Sequence, residues 1–563
     1  MKKPAPVYVA DFESRNSQKD VDARSTSIWL WDVCDIDEYN HTTGDTMQTF
    51  IDHVARLAPC TIYTHNLKFD GSFIIDYLLK HGFTYTEEKA LNCFEFSTLI
   101  NADGQFYNIR FCFDTKSKKK KRVVEFRDSS KKISGSVRQI AISYGLPILK
   151  GEIDYTAERP DGYVATPEEV AYIHNDTEIV ARVLHTQYEK QMTKLTSSGD
   201  AMFLYQSIAG KYFRIVYPEL PLEVDDYIRE SYRGGVCQVN EKFKEKQIDV
   251  PVYCYDVNSM YPAMMSKRPL PYGTPIFYSG RYKQNDGYPL YIQRIRVCCA
   301  VKPNHRPTIL MKASIFSMNT YLSDTAGEMI EMTLTSVDLN LLFKHYDVYD
   351  IQYIDGYMFR ASDSLFNAYV KPLYKRKCET KGAEKQTIKI LLNSLYGKFA
   401  MNPRHRAKRP YLDEETDSVK YEPCELQIDK PYYTAVASFI TAWARELLFT
   451  TIQNNIEYFV YCDTDSVHTT RKELVGAEID DNELGAFKLE KVYIKSKYLA
   501  QKTYYGIKET GNDLKIAGCP QDVKDTISFD EFDFGLVRDG KLRPQKVDGG
   551  TLLVNTPFTI HKR

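Results

Sequence analysis

Tryptophan is scarce, with 3 residues in 563, and cysteine pairs at metal or redox spacing are missing altogether. The 12 cysteines are scattered, the only adjacent pair is Cys298-Cys299, and no Cys-x-x-Cys occurs. That argues against zinc binding and against thioredoxin-type chemistry. Scattered thiols in a chain of this length fit a reducing compartment. Neither sign of charge dominates: 74 Lys and Arg stand against 75 Asp and Glu, a net charge of -1. Any basic surface for nucleic acid must therefore be local. No apolar run approaches a membrane span, and Val7-Tyr8-Val9-Ala10 meets Asp11 before a signal segment is complete. The expectation is a soluble protein with no membrane contact.

With 43% hydrophobic and 26% charged residues, the chain is globular, and its length predicts two or more domains. Its 42 tyrosines supply amphipathic rings for stacking. The most informative stretch is Tyr461-Cys462-Asp463-Thr464-Asp465-Ser466, flanked by strand-like segments. It reads as a hairpin turn with two carboxylates at i and i+2, which share one face of a strand. Charges held so close repel, and a divalent cation relieves them. Taken alone, this is also the composition of an ordinary polar turn.

The N-terminal third repeats the pattern. The strand Val7-Tyr8-Val9-Ala10 ends in Asp11-Phe12-Glu13, and Thr61-Ile62-Tyr63-Thr64 leads through His65-Asn66-Leu67-Lys68-Phe69 to Asp70 and an apolar helix. A further helix opens with Thr166-Pro167-Glu168-Glu169, a capping box with proline at the first helical position. Its apolar stripe is Ile173, Val180, Val183 and Leu184, and Tyr172 and Asp176 share a face at i and i+4. Four carboxylates delivered by strand ends and a helix suit a two-cation phosphodiester site, and a tyrosine there can orient an attacking water.

Asp11-x-Glu13, Asn66-x-x-Phe69-Asp70 and Tyr172-x-x-x-Asp176 resemble, in order and spacing, the three exonuclease motifs of family B proofreading DNA polymerases. The resemblance implies a ribonuclease-H-like α/β domain in which Asp11, Glu13, Asp70 and Asp176 hold metals and Tyr172 positions the water. Lys150-Gly151-Glu152-Ile153-Asp154-Tyr155 resembles a segment of the protein-primed subgroup, which implies that Lys150 and Tyr155 touch DNA and that Glu152 adds a metal ligand. Ser14, His65, Asn66, Phe69, Phe73 and Ser129 would grip the frayed primer end. The basic run at 116–122 reads as a solvated hairpin tip or as a contact to DNA backbone.

The rest of the chain continues the family order. Tyr232-Arg233-Gly234-Gly235 resembles the Tyr-x-Gly-Gly linker between editing and synthesis, so Tyr232, Gly234 and Gly235 are expected at the template. Asp256-Val257-Asn258-Ser259-Met260-Tyr261-Pro262 resembles the first polymerase motif, and the Asp463/Asp465 hairpin resembles its partner. By resemblance Asp256, Asp465 and the Val257 carbonyl bind cations and Asp463 supports them. Ser259 touches DNA, and Tyr261 packs under the sugar and excludes a 2′-hydroxyl. Residues 365–400 read as helical with a break near Gly382, and Lys385, Lys389, Asn393 and Tyr396 share one face. They resemble the fingers helix, which implies Lys377 and Lys389 at the triphosphate and Asn393 and Tyr396 at the base. Thr441 and Arg445 resemble a primer-contacting Thr-x-x-Ala-Arg, and Lys502 and Tyr504 a Lys-x-Tyr clamp on the primer terminus.

The reading is a multidomain α/β and α+β chain. The exonuclease occupies 1–196, the palm 197–267 and 434–515, the fingers 365–400 and the thumb 516–563. Insertions fall at 268–364, for docking the priming protein, and 401–433, for strand displacement and processivity. These insertions are what point to the protein-primed enzymes of small tailed phages. The resemblance implies two Mg²⁺ per active site, with Mn²⁺ able to substitute. The implied partners are template and primer DNA, deoxynucleoside triphosphates and a terminal priming protein, for a monomer in the host cytoplasm. A nuclease whose C-terminal half only binds DNA, and a non-enzymatic DNA-binding protein, are the competing readings at this point.

Overall fold

A computed structural model describes residues 5–114, 121–311 and 319–562. Most of the basic run at 116–122 lies outside the described residues. Lys121 and Arg122 are described, and they donate to the backbone carbonyls of Leu91 and Ala55.

The first body is a mixed sheet of β1 (Val7–Ser14), β2 (Ile28–Asp35), β3 (His41–Gly44), β4 (Cys60–Thr64), β5 (Thr84–Tyr85), β6 (Glu95–Ile100), β7 (Phe106–Phe113) and β8 (Arg122–Asp128). The spatial order is β3-β2-β1-β4-β8-β7-β6-β5, with β1, β4 and β8 parallel and β2 antiparallel to β1. Alternation along β1 sorts the two faces. Ala10 and Phe12 join Phe50 and Phe73 in one core layer, against the helices Met47–Leu57 and Leu67–Lys80. Val9 joins Tyr63, Val180 and Leu184 in the other, against Pro167–Glu189. Asp11 and Glu13, in phase with Val9, therefore lie on the face of that long helix. Its capping box, Thr166 with Glu169, forms as the sequence predicts.

The second body is built on an antiparallel five-stranded sheet in the order Phe487–Tyr493, Val252–Val257, Ser466–Thr469, Phe459–Asp463, Cys237–Val239. The helix Thr434–Asn454 belongs to the core beside this sheet. It corrects one expectation from the sequence. It is long and apolar enough to cross a membrane by length and composition, although 78% of its apolar window is buried inside the protein. A helix apolar on all sides is what a position deep in a large core requires.

Residues 268–364 contain a four-stranded sheet, Leu270–Ser279, Tyr346–Ser362, Leu290–Val301 and Ile330–Thr335 in spatial order. The helices Asn367–Glu379 and Gly382–Phe399 follow, broken where the sequence places the break. Two hairpins then reach back to the first body. Arg404–Asp413 with Ser418–Ile428 sends Val419 and Tyr421 into its core. Val537–Val547 with Gly550–Thr559 bonds to it through Thr551 Oγ1 to Ser72 Oγ at 2.8 Å and the Leu553 amide to Asn16 Oδ1 at 2.8 Å. The hairpins also touch each other, through a bridge between Ser418 and Asp548. Gly549 must be glycine: its φ is +83°, and a Cβ there would collide with the backbone of Thr26.

Candidate active sites

The first candidate site is a cavity of about 370 Å³ lined by Asp11, Glu13, Asp70 and Asp176, together with Ser14, His65, Asn66, Phe69, Lys150, Tyr155 and Tyr172. Burial raises all four carboxylates above their ordinary range, Asp11 to about 7. Mutual repulsion adds to it, from Asp176 on Asp11 and from Asp11 on Glu13 and Asp70. The one ammonium in the cavity, that of Lys150, pairs with Asp176. Burial disfavours that ammonium, yet Asp176 and Tyr155 beside it hold its pKa up to about 12. One oxygen of Asp70 and one of Asp176 are buried with no hydrogen-bond partner. Orphaned buried carboxylate oxygens are costly, and hard divalent cations, which take oxygen ligands, fit this donor set. Tyr172 is 3% exposed, and its hydroxyl meets that of Tyr155 at 2.7 Å.

Three expected contacts lie elsewhere. Phe73 is 2% exposed, because its ring fills the core beside Phe12 and beneath Gly550. Ser129 is fully buried and supports His65, with 2.9 Å between Ser129 Oγ and His65 Nδ1. The opposite nitrogen, His65 Nε2, donates to the Gly135 carbonyl at 2.8 Å. Glu152 points to solvent, its side chain 88% exposed, and pairs with Arg138 rather than joining the carboxylates.

The second candidate site lies on the five-stranded sheet. Asp463 pairs with Ser466 across a two-residue turn in which Thr464 takes φ +56°, so the predicted hairpin forms. Asp256 lies opposite Ser466 on the neighbouring strand, and the Val257 amide donates to the Asp465 carbonyl at 2.9 Å. Asp463 is satisfied by Lys502, whose Nζ lies 2.8 and 2.9 Å from its two oxygens. Asp256 and Asp465 form no ion pair among the described residues. Burial and repulsion from neighbouring carboxylates raise them to about 7 and about 6, against the opposing pull of Lys389. This pair, too, has the chemistry of a cation site.

Tyr261 and Tyr396 stack beside it with ring centroids 4.1 Å apart. Gly235 lies against them: an added Cβ would be 3.1 Å from the Tyr261 hydroxyl and 3.1 Å from Thr464 Cγ2. Lys377 donates to Ser259 Oγ at 2.8 Å. Lys385, Lys389 and Asn393 are exposed along one helix face, with Tyr396 half-buried at its end. Tyr504 is 8% exposed and stacks on Tyr498 beneath the Asp463 hairpin. Tyr232 is half-buried and Gly234 exposed.

Thr441 and Arg445, expected at the primer, are each 1% exposed. Thr441 donates to its own helix. Arg445 forms a bidentate pair with Asp338 at 3.0 and 2.8 Å and donates to the carbonyls of Arg233 and Gly234 at 2.6 and 2.9 Å. Its work is to fix the Gly234-Gly235 loop from beneath. Arg445→Ala would leave the buried Asp338 carboxylate without its ion-pair partner, held only by Thr335 Oγ1 at 2.8 Å, and we expect a loss of about 3–5 kcal/mol in chemical denaturation. Replacing both members by apolar residues should restore most of it, and a neutral single substitution would contradict the assignment.

The sequence reading missed Asp338, and it missed Glu490, whose charge adds to the burden on both Asp256 and Asp465. Strand pairing runs from Cys254 opposite Lys491 to Tyr255 opposite Leu489, so Glu490 is the unpaired residue of a register shift. Such a bulge re-aims a side chain that simple alternation would misplace.

The raised carboxylates predict a pH dependence. The native state holds their protons more tightly than the unfolded chain, so the stability of metal-free protein falls as pH rises from an unfolded pKa of about 4 to about 7 for Asp256. In EDTA, wild-type Tm should therefore decline across this window more steeply than that of Asp256→Asn. Parallel profiles would count against it.

The family model for DNA polymerase type B, organellar and viral, matches residues 56–483. The DNA polymerase of Bacillus phage B103 is 39% identical, with 99% of this chain and 100% of the relative covered. That of Streptococcus phage Cp-1 is 31% identical, with 99% and 98% covered. The structure of phi29 DNA polymerase complexed with primer-template DNA and incoming nucleotide substrates superposes with a TM-score of 0.90 at 36% identity, over 99% of this chain and 100% of that one. An orthorhombic crystal form of phi29 DNA polymerase gives a TM-score of 0.92. With two carboxylate clusters on two sheets in one chain, and similarity along almost its whole length, the chain belongs to the organellar and viral type B DNA polymerases.

Proposed function

We propose that this chain is a protein-primed, strand-displacing DNA-dependent DNA polymerase that proofreads with a 3′→5′ exonuclease and replicates a linear phage-type genome. The observation that carries the synthetic half is the sheet that sets Asp256 beside the Asp463-Asp465 hairpin, with neither Asp256 nor Asp465 in an ion pair among the described residues. Divalent cations, two Mg²⁺ per centre with Mn²⁺ as a substitute, would activate the attacking oxygen and neutralise the departing one. Asp256, Asp465 and the Val257 carbonyl would hold them for synthesis, and Asp11, Glu13, Asp70 and Asp176 for editing.

The chain's own side chains do the positioning. Lys377 and Lys389 meet the triphosphate as point charges. Tyr396 and Asn393 wall the base, and Tyr261 closes the space a 2′-hydroxyl would need. Lys502, which holds Asp463, would meet the primer terminus, while Ser259 and the Gly234-Gly235 loop would contact DNA. In the editing cavity, Ser14, His65, Asn66 and Phe69 receive the frayed strand, Lys150 and Tyr155 its phosphate, and Tyr172 orients the water. The two hairpins that bond back to the first body would encircle DNA, which supports processivity. Residues 268–364 offer the surface for a terminal priming protein, and the working form is a monomer in the infected host's cytoplasm.

The test is a primed single-stranded template with four deoxynucleotides and Mg²⁺. Extension that needs all three supports the proposal, and degradation without any incorporation would leave only a nuclease.

A further inference from the structure

Asp32, His41 and His174 each bring a metal-ligating atom to one point outside the editing cavity, all within 4.8 Å of one another. We infer that they form a third cation site, structural in role and suited to Zn²⁺, that ties the β2–β3 edge of the sheet to the helix Pro167–Glu189. At about 100° per residue, His174 and Glu178 project from the flank of this helix turned away from Tyr172 and Asp176. The site adjoins the editing cavity without sharing its carboxylates: Asp32 lies opposite Asp11 on the neighbouring strand, and Thr177, which donates to Asp32, also lines the cavity.

The donor arrangement is lopsided in a way that calls for an ion. Asp32 is fully buried. Its Oδ2 accepts from Thr177 Oγ1 at 2.5 Å and lies 2.8 Å from His41 Nδ1. Its Oδ1 has no hydrogen-bond partner, and neither does the buried Nε2 of His174. These two orphans face each other at 3.6 Å. That is too long for a hydrogen bond, and close to the roughly 3.3 Å separating two ligands on a tetrahedral ion with bonds of about 2.0–2.1 Å. The imidazoles of His41 and His174 stack with centroids 4.0 Å apart, so both rings already border the same space.

An outer carboxylate is in place as well. His41 Nε2 lies 3.8 Å from Glu178 Oε2, and a ligating histidine characteristically donates its second N–H to a carboxylate. Binding through His41 Nδ1 would release the proton it shares with Asp32 and leave Nε2–H for Glu178. Imidazole nitrogen with one carboxylate favours zinc among the common divalent ions. The absence of Cys-x-x-Cys spacing bears on thiolate sites, and this one uses none.

The test uses full-length protein carrying Asp11→Asn and Asp256→Asn, which weaken both catalytic clusters. After equilibration with Zn²⁺ and gel filtration, metal analysis should find one zinc per chain, absent from the same background with His174→Gln. Glu178→Gln should weaken zinc about 10- to 100-fold. Co²⁺ added to the unsubstituted protein should give the visible absorption of a four-coordinate histidine site, and Zn²⁺ should quench it. This readout does not depend on any variant folding. No retained zinc, zinc retained equally by His174→Gln, or a Co²⁺ spectrum of hexaaqua type would overturn the inference.

Discussion

Asp256→Asn should abolish primer extension while leaving exonuclease activity at the wild-type level. The substitution keeps side-chain volume but removes one of the two carboxylates, Asp256 and Asp465, that form no ion pair among the described residues. Lys389, which now opposes the negative charge of Asp256 and Asp465, would then face Asp465 alone. Loss of one cation-holding oxygen removes several kcal/mol of charge stabilisation. At 1.36 kcal/mol per decade, about 4 kcal/mol is roughly a thousandfold in rate. The loss should fall on kcat and persist at saturating nucleotide, because Lys377, Tyr261 and Tyr396 remain in place. Extension within tenfold of wild type would remove Asp256 from the site.

Asp11→Asn should do the converse, with 3′→5′ degradation falling about a thousandfold and extension changing by less than about twofold. The structure adds a second expectation. Asp11 is a leading source of the repulsion that raises Glu13 and Asp70, while Lys150, which also attracts Asp11, keeps its direct ion pair with Asp176. Neutralising it should therefore leave metal-free protein as stable as wild type or more so, because like charges buried together oppose folding. A variant with lost nuclease and a raised Tm in EDTA would show the site storing electrostatic strain that its cations relieve. A variant that merely unfolds would point to a structural role for Asp11.

How far these sites were legible in the sequence depends on what local pattern can express. The strands bearing Asp11 and Asp256, the strand-to-helix junction before Asp70, the Asp463 hairpin and the capped helix of Tyr172 and Asp176 follow from period, turn chemistry and capping, all properties of adjacent residues. The polar stripe of Lys385, Lys389 and Asn393 is likewise exposed along one face. Direction relative to distant elements is another matter. Arg445 looks like a surface cation until Asp338, 107 residues away, is seen to fold beneath it. Phe73 and Ser129 sit at motif positions but point into the core. Glu490 is turned by a bulge that no alternation rule reveals, and Asp32, His41 and His174 meet only because a helix crosses the sheet edge. Each miss is a long-range pairing or a reversal of facing, and neither is carried by neighbouring residues.

Synthesis and editing in one chain require two separate carboxylate clusters, each gathering cations. Anomalous diffraction from crystals soaked in Mn²⁺ with a nucleotide and a short single strand tests this in one measurement. Manganese peaks should lie among Asp11, Glu13, Asp70 and Asp176 and, separately, between Asp256 and Asp465. Density confined to one cluster, or centred on Asp463 and Lys502 instead, would contradict it.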